Sequence, residues 1–457
     1  MQSEEYIRRV WVDFPAETVF EWHERPGASE RLKPPWERVE VVDRTGGIKD
    51  GDRAMLRVSV GVFRFRWEVE HSGYEAGRQF CEEQVSGPFP YWKHTHRVVP
   101  EGADKCYLED RIEYVLPFAM RMFGKASFRK RLDRMFTYRH RTMVQDLLLH
   151  HRSRDAGRMK VLISGATGLV GSALAAFLST GGHEVKRLVR VEPEGDSPEV
   201  FWDPVQGTLQ MKDLEGLDAV VHLAGENIGE GRWTEEKKRR IRESRVKGTE
   251  LLCDALACLK RPPKVLVSAS AIGYYGSRGD EVLTEESSYG MDFLADVCRD
   301  WEAVTEVVEK NRIRVVNLRS GVVLSPQGGA LARMLFPFKM GGGGPIGDGT
   351  QYMSWITLED LVQAIYYAIR TEALTGPVNA VAPGAVTNGA FGKTLGRVLR
   401  RPAVFPLPAF VVRKVFGEMG EALLLSSSRV EPKRLVESGF SFLHSDLEKG
   451  LRYLLGR

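Results

Sequence analysis

From residue 159 onward the sequence predicts an α/β fold, a doubly wound parallel sheet with a small C-terminal cap starting at about residue 379. Residues 1–150 predict a separate α+β domain, and residues 151–158 a linker. Three observations carry this reading. Met159 to Gly171, MKVLISGATGLVG, is a short apolar run that opens through three spaced glycines into a helix. Strands and helices then alternate, which implies parallel strands with helices on both faces. The first 118 residues instead read as strands with period-two alternation, closed by one long helix.

In the first domain, Arg53 to Val60 alternates with Leu56, Val58 and Val60 on one face. The phase slips at Gly61, so that Phe63, Phe65, Trp67 and Val69 form the next apolar set, as a hairpin or a bulge requires. Further strands are expected at Gln79–Val85, Tyr91–Val99 and Cys106–Leu116. A helix from about Ala126 to Leu149 carries Phe128, Leu132, Met135, Phe136, Met143 and Leu147 on one side and Arg129, Lys130, Arg134 and Arg141 on another. The basic side reads as a solvated face. His150 to Arg158 has no apolar periodicity, which marks the linker.

A chain of 457 residues is too long for one ordinary core. Its 65 Lys and Arg against 61 Asp and Glu leave a net charge of +4, which gives no case for nucleic acid as a partner. The five cysteines, Cys81, Cys106, Cys253, Cys258 and Cys298, are odd in number and scattered, and Cys253 and Cys258 read as small core residues. Charge interrupts the first 20 residues and no apolar run reaches the length of a membrane span, so a cytoplasmic chain is expected.

The second domain begins with Val161, Leu162 and Ile163, a strand buried on both faces. Gly165 allows a sharp turn, Gly168 lets a pyrophosphate approach the backbone, and Gly171 lets helix pack on strand. The orphan N–H groups of Gly165, Ala166, Thr167, Gly168, Leu169 and Val170 then face the phosphates of a dinucleotide. Strands follow at Glu184–Val189, Glu199–Trp202, Asp218–Leu223, Lys264–Ser268 and Arg314–Leu318, with helices at Thr234–Leu259 and Asp292–Lys310. After the second strand an NAD site would offer an Asp or Glu to the ribose; this chain has Arg190, with Arg187 nearby. A guanidinium binds a 2′-phosphate through two hydrogen bonds, so NADP is the expected cofactor. The competing reading, an ordinary solvated strand end, draws on Glu192 and Glu194.

Two resemblances extend this. Phe14 to Phe20, Gly87-Pro88-Phe89, Trp92 to His96 and Leu108 to Tyr114 make the first third similar to START-like, polyketide-cyclase-type domains. That resemblance implies a helix-grip fold around an apolar cavity, and an apolar ligand or another protein as its partner. His94 and His96 share a strand face, but without a third ligand they read as structural, and no metal site is expected. In the second domain, Gly165 to Gly171, His222-Leu223-Ala224-Gly225, Ser268 to Gly276 and Met353 to Leu361 resemble the Rossmann-fold extended short-chain dehydrogenase/reductases. Gly225 to Ile228, Arg232-Trp233, Ser244 to Val246, Arg319 to Leu324, Gly341 to Gly349 and the tail Asn379 to Leu451 narrow the likeness to an atypical, epimerase-like subgroup. Members of that subgroup are labelled sugar-nucleotide epimerases, or cell-division inhibitors when fused to a START-like domain.

The resemblance implies a small-molecule substrate and a catalytic Tyr with a Lys four residues on, and here the chain departs. No Tyr is followed by Lys at that spacing; alignment on Trp301-Glu302 puts Leu294 and Cys298 in the two places. With a reference pKa of about 10, an unassisted Tyr is ionised in about one molecule in a thousand at neutral pH. The resemblance leaves Ser270 and, in the loop that follows, Tyr274 and Tyr275 as catalytic candidates, Ser270 either donating to a substrate oxygen or capping its strand. Leu223, Ala224, Gly225 and Val323 are expected along the cofactor, and Arg245 beside a cofactor phosphate or an anionic substrate. The run Gly341 to Gly349 is expected as a flexible loop, over the substrate or on the open surface, and Lys237 to Arg240 as the wet side of a helix. Oxidoreductase or epimerase chemistry on an unidentified molecule is one reading; a non-catalytic NADP-bound sensor or interaction protein is the other. The oligomeric state is not readable.

Overall fold

A computed structural model of the protein describes residues 3–60, 63–193 and 197–457. The chain divides into two compact units. The first comprises Met1–Gly157 with Ala176–Gly182 and Gly456, and the second holds the rest.

The first unit is a seven-stranded antiparallel sheet: β1 (Glu4–Val12), β2 (Arg38–Thr45), β3 (Arg53–Val60), β4 (Phe63–Glu75), β5 (Gln79–Ser86), β6 (Tyr91–Pro100) and β7 (Cys106–Val115), in the spatial order β1-β7-β6-β5-β4-β3-β2. Val60 pairs with Phe63 across a hairpin, which settles the phase slip; Gly61 itself lies outside the described residues. The sequence reading passed over β2, most of which is exposed and so lacks the alternation that betrays a half-buried strand. The long helix spans Lys125–Arg152, and a 3₁₀ turn at Arg154–Ala156 follows, so helix and turn take up most of the expected linker. Arg129, Lys130 and Arg141 are exposed, as a solvated face should be, whereas Arg134 is half-buried and donates to Gly456 O. Arg31 and Asp146 close the unit through a buried bidentate pair, both bonds 2.8 Å.

Its core is not uniformly apolar. One cluster holds Phe20, Trp22, Phe80, Val98 and Met143, and a second holds Tyr6, Trp92, Ile112, Phe128 and Phe136. On β6 the inward positions run Trp92, His94, His96, Val98, so two imidazoles stand between the two clusters. The third polar group that the sequence reading lacked is supplied by the neighbouring strand: Glu82 on β5 pairs directly with His94.

The second unit carries an eight-stranded sheet. β8 (Lys160–Ser164), β9 (Glu184–Val189), β10 (Glu199–Asp203), β12 (Ala219–His222), β13 (Val265–Ala271) and the strands Arg314–Ser320 and Gly376–Ala380 are parallel; only the edge strand β11 (Thr208–Leu209) runs antiparallel. The order is β11-β10-β9-β8-β12-β13, then the strand at Arg314 and the strand at Gly376. Strand order therefore reverses at β8, and the crevice between the carboxyl ends of β8 and β12 is where such sheets take ligands. Val161, Leu162 and Ile163 have no exposed surface, as an apolar run covered on both faces requires. The helix expected at Asp292–Lys310 breaks after Ala303 and resumes as one turn at Glu306–Glu309. Cys253 is a core residue, whereas Cys258 at its helix end is exposed, a correction to the reading of both as buried.

Candidate dinucleotide site

Three glycines define the turn after β8, each for a different steric reason. Gly165 has φ +66°, and a Cβ there would stand 2.9 Å from the Leu223 carbonyl carbon. A Cβ on Gly171 would stand 2.2 Å from the Gly165 oxygen, so no side chain fits between turn and helix. At Gly168 it would meet only that same oxygen, at 3.2 Å, leaving its other side clear for a ligand. The Gly168 N–H donates to Gly165 O (3.0 Å) and Ser172 N–H to Gly168 O (2.9 Å), and the helix starts at Leu169. A buried serine ties this turn to the neighbouring strand. Ser164 Oγ accepts from the Leu223 and Ala224 N–H groups (3.0 and 3.2 Å) and sits 2.7 Å from His222 Nδ1. Because that oxygen already accepts twice, its hydrogen goes to His222, which carries its own proton on Nε2. Burial pushes the His222 pKa down to about 4, so the ring is neutral in this bond.

Arg190 follows β9 directly, is exposed, and has no ion-pair partner among the described residues. Glu192 is exposed as well, and Glu194 lies outside the described residues. Arg245 lies over Gly225, whose Cβ would be 3.2 Å from the guanidinium carbon, and stacks on Trp301 at 5.2 Å. It donates to Ile241 O and has no carboxylate within ion-pair distance among the described residues. Burial lowers its pKa, with the thiol of Cys298 and the carboxylate of Glu226 opposing. A half-buried cation held by a carbonyl and an indole face is suited to an incoming anion. Val323 lies on a short strand, Val322–Leu324, and a Cβ on Gly328 just beyond it would stand 3.5 Å from the Leu169 side chain at the helix start.

The other end of β13 is organised differently. Ser270 is buried and donates to Glu302 Oε1 at 2.6 Å. Arg319 grips the same carboxylate with two bonds (2.8 and 2.7 Å) and donates to the Tyr275 hydroxyl at 3.0 Å, which in turn donates to Asn379 at 2.7 Å. Burial would lower the Arg319 pKa, but Glu302 raises it well above the ordinary arginine value, and burial lifts Tyr275 to about 12. Tyr274 lies flat on the Arg319 guanidinium at 3.4 Å, and its hydroxyl has no hydrogen-bond partner among the described residues. Leu294 and Cys298 pack on Gly273 at 3.3 and 3.8 Å from where its Cβ would be, and burial pushes the Cys298 thiol up to about 12. A leucine and an un-ionised thiol therefore pack against the loop that follows Ser270.

Glu302, Arg319 and Asn379 were given no role in the sequence, whereas Tyr275, a candidate acid beside Tyr274, is engaged here by Arg319 and Asn379. The available signal was an Arg just after the apolar residues of the strand RVVNLRS, which needs an anion once that end of the strand is buried. Two further expectations are corrected. The glycine run after Lys339 is pinned, not flexible: Phe405 N–H donates to Gly343 O, Gly347 N–H to Leu407 O, and a Cβ on Gly344 would stand 2.1 Å from Phe405 O. Lys237 is buried and bonded to Glu226 at 2.6 Å, while Arg239 and Arg240 are exposed. A cavity of about 410 Å³ opens beyond the Tyr274 loop, lined by Asp280, Asp348, Gln351, Tyr352, Arg413 and Glu421.

Sheet order, glycine turn and crevice define a Rossmann-type dinucleotide domain with a C-terminal extension. Residues 161–380 match the NAD dependent epimerase/dehydratase family, residues 407–454 a domain of unknown function (DUF1731), and residues 12–136 the polyketide cyclase/dehydrase and lipid transport family. An epimerase family protein of Mycobacterium tuberculosis is 43% identical over 297 residues, 65% of this chain and 98% of its own. The human epimerase family protein SDR39U1 is 37% identical over 300 residues, 65% of this chain and all of its own. The solved structure of the human protein with NADPH has a TM-score of 0.60 at 35% identity, covering 65% of this chain and 99% of that one. A Corynebacterium glutamicum structure described as a nucleoside-diphosphate sugar epimerase covers 99% of this chain and 90% of its own, with a TM-score of 0.81 and 34% identity. The chain thus belongs to the NAD dependent epimerase/dehydratase family, with a polyketide-cyclase-like domain fused in front. No helix among the described residues is long and apolar enough to cross a membrane.

Proposed function

We propose that the turn Gly165–Val170, with Leu223, Ala224, Gly225 and Val323 along the crevice, binds NADP(H), that Arg190 takes the 2′-phosphate and that Arg245 takes a phosphate. The protein then acts as an epimerase-like or oxidoreductase enzyme on a small molecule, with the N-terminal domain holding a second, apolar ligand. The observation that carries the cofactor assignment is the Arg190 guanidinium just past β9, without an ion-pair partner among the described residues, where an NAD site would need a carboxylate. The NADPH in the structure of the 35% identical human relative supports the same choice. Within the site the cofactor supplies hydride chemistry. Ser164 and the neutral His222 fix the floor of the crevice, and Tyr274 offers a hydroxyl without a hydrogen-bond partner among the described residues.

A second reading, a cofactor-bound sensor or interaction protein without turnover, is favoured by one feature: the Ser270 hydrogen is already committed to Glu302. Calorimetry of the full chain with NADPH and NADH tests the cofactor assignment; NADPH is expected to bind about 10- to 100-fold more tightly. No heat with either oxidised or reduced NADP sinks it. Incubation with NADPH and candidate sugars, ketones and enals, following absorbance of the reduced nicotinamide, separates the two readings. Turnover that disappears in Tyr274→Phe supports the enzyme, and tight binding without consumption supports the sensor.

A further inference from the structure

Five of the ten histidines of this chain, His23, His71, His94, His96 and His140, are buried around two carboxylates in the core of the N-terminal unit. Strand register places them in rows. His71 pairs with Glu82 and Glu82 with His94 across β4, β5 and β6, while His96 pairs with Asp110 across β6 and β7. All of these face the side of the sheet that the long helix covers, and that helix adds His140.

The two carboxylates play different parts. Asp110, 2% exposed, is bonded to His94 Nε2 at 2.9 Å and to His140 Nε2, with His96 Nδ1 at 2.8 Å. Hydrogen-bonded through Nε2, the His94 ring turns Nδ1 toward Glu82, whose Oε2 is 3.7 Å away. His71 Nε2 stands 3.7 Å from the other Glu82 oxygen. These gaps are too long for hydrogen bonds. They match what two atoms bound to one metal ion show, since metal–ligand bonds of about 2.0–2.2 Å at a tetrahedral angle put neighbouring ligand atoms about 3.4 Å apart. Glu82, His94 and His96 can each offer one ligand atom with all three within 4.8 Å of one another. His96, 4% exposed, also leaves Nδ1 without an aligned hydrogen bond despite its closeness to Asp110, a cost a merely structural network would not carry.

We propose that Glu82, His94 and His96 bind a divalent transition-metal ion of the zinc class, with Asp110 as the outer carboxylate that fixes the His94 ring. Two imidazoles and one carboxylate leave at least one coordination position for an outside ligand, in contrast to the four-ligand structural sites. The open side is that of Glu82, whose side chain is 33% exposed while both imidazoles are closed in. Asp110 acts through a second-sphere bond, which sets which nitrogen of His94 is free for the metal. The domain would then hold an oxygen-donor ligand at its metal as well as apolar contacts at its two hydrophobic clusters. The site is independent of the dinucleotide crevice, so its failure and the failure of NADP binding are separate results.

The test uses the full chain carrying Cys258→Ser, which removes the exposed thiol, stripped with chelator and titrated calorimetrically with zinc chloride. One saturable equivalent is expected, and cobalt(II) in its place should give the visible ligand-field bands of nitrogen and oxygen coordination. Glu82→Gln and His96→Gln should each weaken zinc by about 100-fold or more, and Asp110→Asn by about 10- to 100-fold. His151→Ala, at an exposed histidine, should change nothing. Wild-type protein that takes up no metal overturns the proposal, as does a folded Glu82→Gln/His96→Gln double variant that binds zinc as the wild type does. Should the double variant fail to fold, the wild-type cobalt spectrum decides: octahedral aquo-like bands overturn the site.

Discussion

The two ends of the parallel sheet's crevice are built on opposite principles. At the glycine turn polar groups are left open: Gly168 has a bare flank, Arg190 has no counter-ion among the described residues, and Arg245 is held only by a carbonyl and an indole. At the end of β13 the polar groups Ser270, Glu302, Arg319, Tyr275 and Asn379 engage one another in one chain. Groups that wait for a ligand stay unpaired or face solvent, whereas groups that satisfy each other in a core resist displacement, because an orphaned buried partner is costly. The difference is between a glycine turn left open to a ligand and a strand end whose polar groups already engage one another.

The sharpest way to break the comparison is at the turn. Gly171→Ala puts a methyl group 2.2 Å from Gly165 O, so the turn must open, and NADPH binding should fall by about 100-fold or more with about 1–3 kcal/mol of stability lost. Gly168→Ala has only a 3.2 Å contact to relieve and should fold normally while still losing affinity. Calorimetry and urea unfolding on the same samples separate the two effects. Equal stability loss in both variants would mean that Gly168 faces protein, not ligand.

Next in size is the closed end. Glu302→Gln leaves the Arg319 guanidinium, 3% exposed, without its counter-charge, and breaking a buried pair from one side costs about 3–5 kcal/mol. Urea midpoints should show that loss with NADPH affinity little changed. A comparable loss in affinity would tie the network to the cofactor.

The floor of the crevice has a pH signature. His222 titrates at about 4 in the folded protein because burial opposes its charge, and near 6.5 when unfolded. Between those values the unfolded chain binds the extra proton, so stability falls as pH drops from about 6.5 to about 4, by up to roughly 3 kcal/mol, and levels off below. His222→Gln should remove that share of the slope. A slope unchanged in the variant would assign the acid sensitivity to the other buried histidines.

Much of this was legible in the sequence for a physical reason. A strand buried on both faces leaves a continuous apolar run, a turn with φ +66° leaves a glycine, and an arginine at the first position past β9, where an NAD site would have a carboxylate, is itself a signal. What stayed hidden depends on partners far apart in the chain. Glu302 and Arg319 meet only once a helix is laid on a strand, and Glu82 meets His94 only through strand register. The strand β2 was passed over because most of it is exposed, and the pinned run after Lys339 was misread because its glycines speak for local freedom that tertiary hydrogen bonds overrode. At Arg190 the signal is local, and its test is correspondingly direct. Arg190→Ala should cut the preference for NADPH over NADH by about 10- to 100-fold and leave NADH affinity where it was. Loss of both affinities together would mean that the guanidinium serves the fold of the strand end.

The smallest expected effect falls on the residue that most needs a decision. Ser270 donates at 2.6 Å to a carboxylate that Arg319 already neutralises, so its removal deletes one bond and leaves no buried charge unpaired. Ser270→Ala should therefore cost about 1 kcal/mol of stability, and NADPH affinity should not move. If the hydroxyl swings from Glu302 to a reacting oxygen, the variant keeps its stability cost but loses turnover by about 100-fold or more, as loss of a transition-state donor does. The two outcomes differ in kcat and not in Kd, so stopped-flow reduction with any accepted substrate distinguishes a strand-end cap from a donor. The first outcome leaves Tyr274, the one group at this end whose hydroxyl has no partner among the described residues, as the proton source to test.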